Sequence, residues 1–119
     1  MGKLTIGCFS SLIGSMNLDF AVKLSEAAIE KGHKVDLWLS GNATMLSLEK
    51  QRAFKDYSSL EKPLTALMEK GLQVTACEAC AEARGYHDDN TLAGVKRFSM
   101  DWYLGSAFDA DRVFHIGGE

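Results

Sequence analysis

Short apolar runs alternate with helix-like patterns along the whole chain, and this alternation constrains the fold more than any other feature. A strand, a helix and a further strand in succession are typical of a parallel sheet that is covered by helices. The sequence therefore predicts an α/β fold, a three-layer sandwich whose mostly parallel sheet has about five strands. The predicted strands are residues 4–9, 35–39, 72–76, 95–98 and 113–116.

Glycine and proline mark the expected ends of several helices. In the first helix, Phe20 and Leu24 share an apolar face, and Gly32 follows the last helical turn. Pro63 is expected as the first residue of a second helix, because proline is favoured at that position. Residues 43–59 show helical spacing only in part and predict a short helix followed by a mobile loop.

The size and charge of the chain exclude several classes of protein. Its 119 residues fit a single domain, residues 1–119, and a net charge of −3 provides no electrostatic footprint for nucleic acid. No segment is long and apolar enough to span a membrane, and the amino-terminal segment lacks the charged lead and cleavage site of a secretory signal. We therefore expect a cytoplasmic protein whose three cysteines are reduced thiols rather than a disulfide framework.

Cys77 stands where a predicted strand ends and a predicted helix begins. In parallel α/β sheets, ligands and reactive groups collect at the carboxyl ends of the strands. Free backbone N–H groups and the helix dipole favour an anion at this point, so the sequence predicts a lowered pKa and a reactive, catalytic thiol. The alternative is a small residue that is merely packed in an alanine-rich helix, since free cysteines are often buried.

Cys80 shares a helix face with Cys77, because it lies three residues further along the chain. Three interpretations stay open for it: a disulfide partner of Cys77, an accessory or packing thiol, and a metal ligand. A metal site is disfavoured because the chain has no second Cys-x-x-Cys pair and few histidines, so no metal is predicted. Cys8, in the middle of the first predicted strand, is interpreted as a packing residue.

Four segments supply candidate neighbours for this thiol. Two of them are loops that follow predicted strands, one containing Ser10 and Ser11 and the other containing Gly41. The first loop has neither a P-loop lysine nor a G-x-G-x-x-G pattern, so no cofactor is predicted. Arg84 lies near the end of the helix that Cys77 begins, and His87 lies in the loop after it.

The chain resembles the DsrE/DsrF-like family, which includes subunits of the TusBCD and DsrEFH sulfur-relay complexes. Residues 30–35 resemble the family's Gly-His-x-Val lead into the second strand. Residues 72–77, followed by Arg84 and Gly85, resemble the family's sulfur-carrying cysteine and the Arg-Gly that ends its helix. Residues 109–117 resemble the family's final strand. The resemblance implies a flavodoxin-like sandwich that assembles into trimers or hexamers.

The resemblance also implies the function: a sulfurtransferase-type carrier that accepts sulfane sulfur as a persulfide on Cys77 and passes it to an acceptor thiol. The implied partners are sulfur donor and acceptor proteins, together with further copies in a homotrimer or homohexamer or related subunits in a mixed complex. Trp102, Tyr103 and Phe108 are expected as exposed aromatic residues at such an interface. Two other functions stay open: an oligomeric scaffold in which Cys77 is only packed, and a small-ligand binder that uses the loops at residues 10–17 and 40–42.

Overall fold

The computed structural model describes residues 2–11, 16–52 and 59–118, and within them strands and helices alternate along the chain. The strands are β1 (Lys3–Cys8), β2 (Lys34–Leu39), β3 (Gln73–Cys77), β4 (Lys96–Phe98) and β5 (Arg112–Ile116). The α-helices are α1 (Asn17–Glu30), α2 (Glu61–Glu69), α3 (Glu78–Ala83) and α4 (Met100–Asp109), and 3-10 helices cover Gly41–Ser47 and Asp88–Asn90. All five predicted strands are confirmed.

The strands form one sheet in the order β4-β3-β2-β1-β5, and every neighbouring pair is parallel. The row Ile6, Leu37 and Val74 faces the main core, where α1 and α2 pack. Trp38 and Thr75 point to the opposite face, on which α4 lies. Strands buried on both faces are typical of a parallel sheet between helical layers, so the predicted three-layer α/β fold is confirmed.

Helix α1 buries only part of the predicted face, since Ala28 is buried and Leu24 packs against the core. Phe20, which was expected in the core, is 58% exposed. The buried residues of α1 are Leu18, Ala21, Val22, Ser25 and Ala28. This face is made mostly of small side chains, which bring the helix axis close to the sheet, and a phenylalanine there would hold the two apart. Gly32 follows the helix with a φ of 86°, as expected for a residue just past a helix end.

A hydrogen-bond network anchors α4 to the sheet. Ser106 Oγ donates to Asp36 Oδ2 at 2.6 Å, and Thr5 Oγ1 lies 2.8 Å from Ser106 Oγ. Lys3 Nζ lies 3.1 Å from the same Asp36 oxygen. These groups are buried or partly buried, so the network fixes how α4 sits over β1 and β2.

The second helix and the segment before it differ in detail from the prediction. Pro63 is the third residue of α2 and not the first, a position that proline tolerates because the first-turn N–H groups have no helical partner. The predicted short helix after residue 43 is a 3-10 helix, Gly41–Ser47. The predicted mobile loop falls largely on residues 53–58, which lie outside the described residues. None of the described helices has the length and hydropathy needed to cross a membrane.

Candidate thiol site

Cys77 ends β3 and is the N-cap residue of α3, so its predicted location is confirmed. Its backbone is extended, with φ −61° and ψ 118°, and this turns its side chain over the first turn of the helix. The Sγ atom accepts a hydrogen bond from the backbone N–H of Cys80, with 3.5 Å between nitrogen and sulfur. The N–H of Ala79 donates to the same sulfur. Cys77 therefore replaces the usual oxygen-bearing cap of a helix with a thiol.

The Cys80 side chain lies on the side of α3 that faces the loop after β2. Its Sγ lies 3.8 Å from Ser40 Oγ, and the backbone N–H of Gly41 also donates to it. The side chains of Cys80 and Cys77 hydrogen-bond to each other. The two thiols and the β2 loop thus form one cluster at the carboxyl edge of the sheet, which is where parallel sheets place their ligands.

Arg84 links the two sides of this cluster, because it hydrogen-bonds both to α3 and to the loop after β2. Its Nη1 donates to the carbonyl oxygen of Cys80 at 3.0 Å. Its Nε and Nη2 both donate to Asn42 Oδ1, at 3.0 and 2.8 Å. A planar guanidinium with several donors suits such a bridge, and it brings positive charge near Cys80.

The predicted fall in the pKa of Cys77 is wrong. Burial under the aromatic residues of α4 and β2, and then the hydrogen bond to Cys80, raise the pKa of this thiol and outweigh the two backbone N–H groups that would lower it. Burial also acts to raise the pKa of Cys80. However, hydrogen bonds from Cys77, Gly41 and Ser40, together with the charge of Arg84, lower the pKa of Cys80 overall. Of the two coupled thiols, Cys80 therefore ionises first.

An aromatic cluster packs beside the thiols. Cys77 is 8% exposed and lies against Trp38 and Tyr103, with Cys80 and Trp102 at the margin. The Trp38 ring stacks on Trp102 and Tyr103, with centroids 6.1 and 5.7 Å apart. Tyr103 is therefore a core residue rather than the exposed interface residue that was predicted, because it fills the space between α4 and the sheet.

Two buried polar atoms lie in this region without a hydrogen-bond partner among the described residues. They are Trp38 Nε1 and Thr75 Oγ1, and both side chains are fully buried. Trp38 pairs with Thr75 across the sheet, and Thr75 shares its sheet face with Cys77 two residues later. Neither residue was predicted, because an apolar strand pattern does not reveal unpaired donors. Such groups are where a bound atom or a water molecule is expected.

The other predicted neighbours lie at different distances from the thiols along the sheet edge. Ser10 follows β1, two strands away from β3, where its Oγ accepts from Asn17 Nδ2 at 2.9 Å, and Ser11 follows it. His87 Nδ1 lies 2.9 Å from Glu82 Oε2, on a different side of α3 from Cys80. Of the predicted set, Gly41 and Arg84 join the cluster, and Ser40 and Asn42 of the predicted loop at residues 40–42 join it as well.

The remaining cysteine is separate from the cluster. Cys8 is fully buried in the main core, and burial raises its pKa to about 12. It therefore stays a neutral thiol, as expected of a packing residue. Across residues 2–11, 16–52 and 59–118, no group of three or more His, Cys, Asp or Glu side chains is arranged to hold a metal ion.

The chain is a small parallel α/β sandwich with a cysteine at the end of its third strand, and sequence comparison identifies its family. Residues 3–116 match the DsrE/DsrF-like family, so the chain belongs to that family. Membership indicates a sulfur-relay role in general, and members generally form sulfur-relay complexes. A search of curated proteins gives no match.

Solved structures share the whole fold. The ychN protein from E. coli is 23% identical and has a TM-score of 0.88, with 97% of this chain and 99% of that chain covered. A protein of unknown function from Methanobacterium thermoautotrophicum has a TM-score of 0.78 at 10% identity, with coverage of 97% and 99%. A conserved protein of unknown function from Bacteroides thetaiotaomicron has a TM-score of 0.70 at 15% identity, with coverage of 97% and 95%. At these identities the likeness concerns the fold.

Proposed function

We propose that the protein is a cytoplasmic sulfur carrier that holds sulfane sulfur as a persulfide on Cys77 and passes it to an acceptor thiol. The observation that carries the proposal is the pair of contacting thiols at the carboxyl edge of the sheet, in a chain of a sulfur-relay family. A carrier needs a thiol that is reached from one side and shielded on the others. The shielding is present at Cys77, because aromatic residues cover it, and the β3–α3 turn places it at the carboxyl edge of the sheet.

Cys80 supplies the proton acceptor for loading in this proposal. The Cys77 sulfur attacks the outer sulfur of a donor persulfide, the donor's S–S bond breaks, and the donor leaves as a thiolate. The proton of Cys77 passes to the Cys80 thiolate, which already hydrogen-bonds to it. The N–H groups of Ala79 and Cys80 then face the new persulfide anion. For unloading, an acceptor thiolate attacks the terminal sulfur and Cys77 leaves as a thiolate.

Mass spectrometry of the intact protein tests this assignment. After incubation with glutathione persulfide, we expect an added sulfur atom that maps to the peptide containing Cys77 and is absent from Cys77→Ser. Cys8→Ala is the matched control, because it removes a thiol outside the cluster and is expected to load normally. Unchanged loading of Cys77→Ser would refute the assignment.

A non-catalytic scaffold is the second candidate function, and the environment of Cys77 favours it. This thiol is 8% exposed and burial raises its pKa, as expected of a packed residue. A scaffold predicts that iodoacetamide does not modify Cys77 near neutral pH in the folded protein. Modification of Cys77 that competes with sulfur loading would exclude this function.

Self-association is part of the proposal, and the apolar surface of α4 and β5 supports it. The exposed apolar side chains of these two elements are Met100, Leu104 and Phe108 on α4 and Val113 and Phe114 on β5, and they are 43–88% exposed. Strand β5 is an edge strand whose Val113 and Phe114 point to opposite sheet faces, so neither face is fully covered. Exposed apolar surface of this kind marks a protein–protein contact. Light scattering is expected to give a trimer or hexamer, and Phe108→Ser is expected to shift it towards monomer; a monomeric native protein would contradict the proposal.

A further inference from the structure

The two thiols of the cluster have different surroundings, and the difference suggests different tasks. Cys77 is buried against the aromatic residues, whereas Cys80 is partly exposed and faces Ser40, Gly41 and the guanidinium of Arg84. These groups stabilise an anion on Cys80 beside the sulfur of Cys77. A thiolate that lies beside a persulfide in the same protein can attack it and break its S–S bond.

We propose that Cys80 is a resolving thiol, which attacks the Cys77 persulfide and releases its outer sulfur as hydrosulfide. The inference rests on the proposed function and adds a reductive activity to it. It would make the protein a persulfide reductase as well as a carrier, with hydrosulfide as the product.

The atoms and electrons of this step balance without an external oxidant. The proton that Cys80 accepted during loading first passes to the outer sulfur of the persulfide, which regenerates the Cys80 thiolate. This thiolate attacks the inner sulfur of the persulfide, which is Cys77 Sγ. A bond forms between the two cysteine sulfurs, the bond to the outer sulfur breaks, and hydrosulfide leaves with that electron pair and the proton. The outer sulfur is reduced and the Cys80 sulfur is oxidised, so that the two cysteines end as a disulfide. A dithiol reductant then restores the pair by two successive thiol–disulfide exchanges.

The spacing of the two cysteines along the helix suits a disulfide. Cys77 is the N-cap and Cys80 is the third residue of α3, so helix rise and radius place their Cα atoms about 5 Å apart. That separation lies within the range of about 4.4–6.8 Å that disulfides span. The hydrogen bond from the N–H of Cys80 already holds Cys77 Sγ over the first turn.

Hydrosulfide release and disulfide formation test the proposal together. The full-length protein is loaded with glutathione persulfide and separated from the excess, then hydrosulfide is measured and free thiols are alkylated for mass spectrometry. We expect the native protein to release hydrosulfide and to yield a peptide with a Cys77–Cys80 disulfide. Because Cys80→Ser lacks the proposed proton acceptor, it is incubated for longer or at higher pH until it carries the same amount of added sulfur as the native protein. Per loaded protein, it is then expected to release hydrosulfide at least about tenfold more slowly, since an intramolecular thiol far exceeds an added one in effective concentration.

The other outcomes separate this inference from the proposed function. If the native protein and Cys80→Ser keep the adduct for equally long and no disulfide forms, the resolving role is overturned and the carrier role stands. If neither protein takes up sulfur, both proposals are overturned. Cys8→Ala must behave like the native protein, and Cys80→Ala must repeat the result of Cys80→Ser, so that the effect is assigned to the thiol and not to misfolding.

Discussion

The anchor between α4 and the sheet can be removed with one substitution, Ser106→Ala. Ser106 Oγ donates to the buried Asp36 carboxylate at 2.6 Å and contacts Thr5 Oγ1 at 2.8 Å. Asp36 keeps Lys3 in the variant, and Thr5 Oγ1 keeps its bond to the carbonyl oxygen of Ser106 at 3.2 Å. The net loss is therefore close to one hydrogen bond to a charged group, and we expect the free energy of unfolding to fall by about 2 kcal/mol.

Urea denaturation at a fixed protein concentration measures this change. With a slope of about 2 kcal/mol per molar urea, the midpoint should fall by about 1 M. Ser25→Ala is the matched control, because Ser25 is a fully buried helical serine whose Oγ donates to the carbonyl oxygen of Ala21, one turn earlier. That bond adds little to a helix, so its loss should have a much smaller effect. Equal midpoints for the two variants would refute the reasoning that the Asp36 network anchors α4.

Three further predictions follow from the thiol environments and from one close contact. In site-resolved alkylation with iodoacetamide, Cys80 should react at lower pH than Cys77. The reason is that a thiol with a lowered pKa has a larger thiolate fraction at a given pH. The reverse order would contradict the assigned environments. Cys8, with its pKa raised to about 12, should react only on unfolding. Gly7→Ala should lower the melting temperature, because a Cβ there would lie 2.7 Å from Cζ of Tyr103; an unchanged melting temperature would show that Tyr103 moves freely.

Strand and helix patterns were sufficient to predict the fold. Strand β2 shows why: Val35, Leu37 and Leu39 on one face and Trp38 on the other indicate burial on both faces, which parallel strands between helices require. The buried face of α1 was not predictable in the same way. Phe20 is more apolar than Ala21 and Ser25, but packing against a sheet selects small side chains as well as apolar ones.

The position of Cys77 was predictable from the sequence, but the direction of its pKa shift was not. A strand pattern that ends at a cysteine, followed by an alanine-rich helix, places that residue at the sheet edge. The sign of its pKa shift depends on burial by Trp38 and Tyr103, which tertiary packing decides. Likewise, Ser40 contacts Cys80 across 40 residues of sequence, and no local pattern reveals such a contact.

Carrying a persulfide and releasing its sulfur place opposite requirements on the two thiols. A carrier must keep its persulfide until an acceptor arrives, whereas an adjacent Cys80 thiolate shortens the lifetime of that persulfide. The groups that stabilise the Cys80 anion also lower its nucleophilicity, because a less basic thiolate attacks more slowly. Ser40 and Arg84 therefore act in both directions, raising the population of the attacking form and slowing each attack. The balance between transfer and release is then decided by how quickly an acceptor thiol reaches the exposed side of the α3 turn.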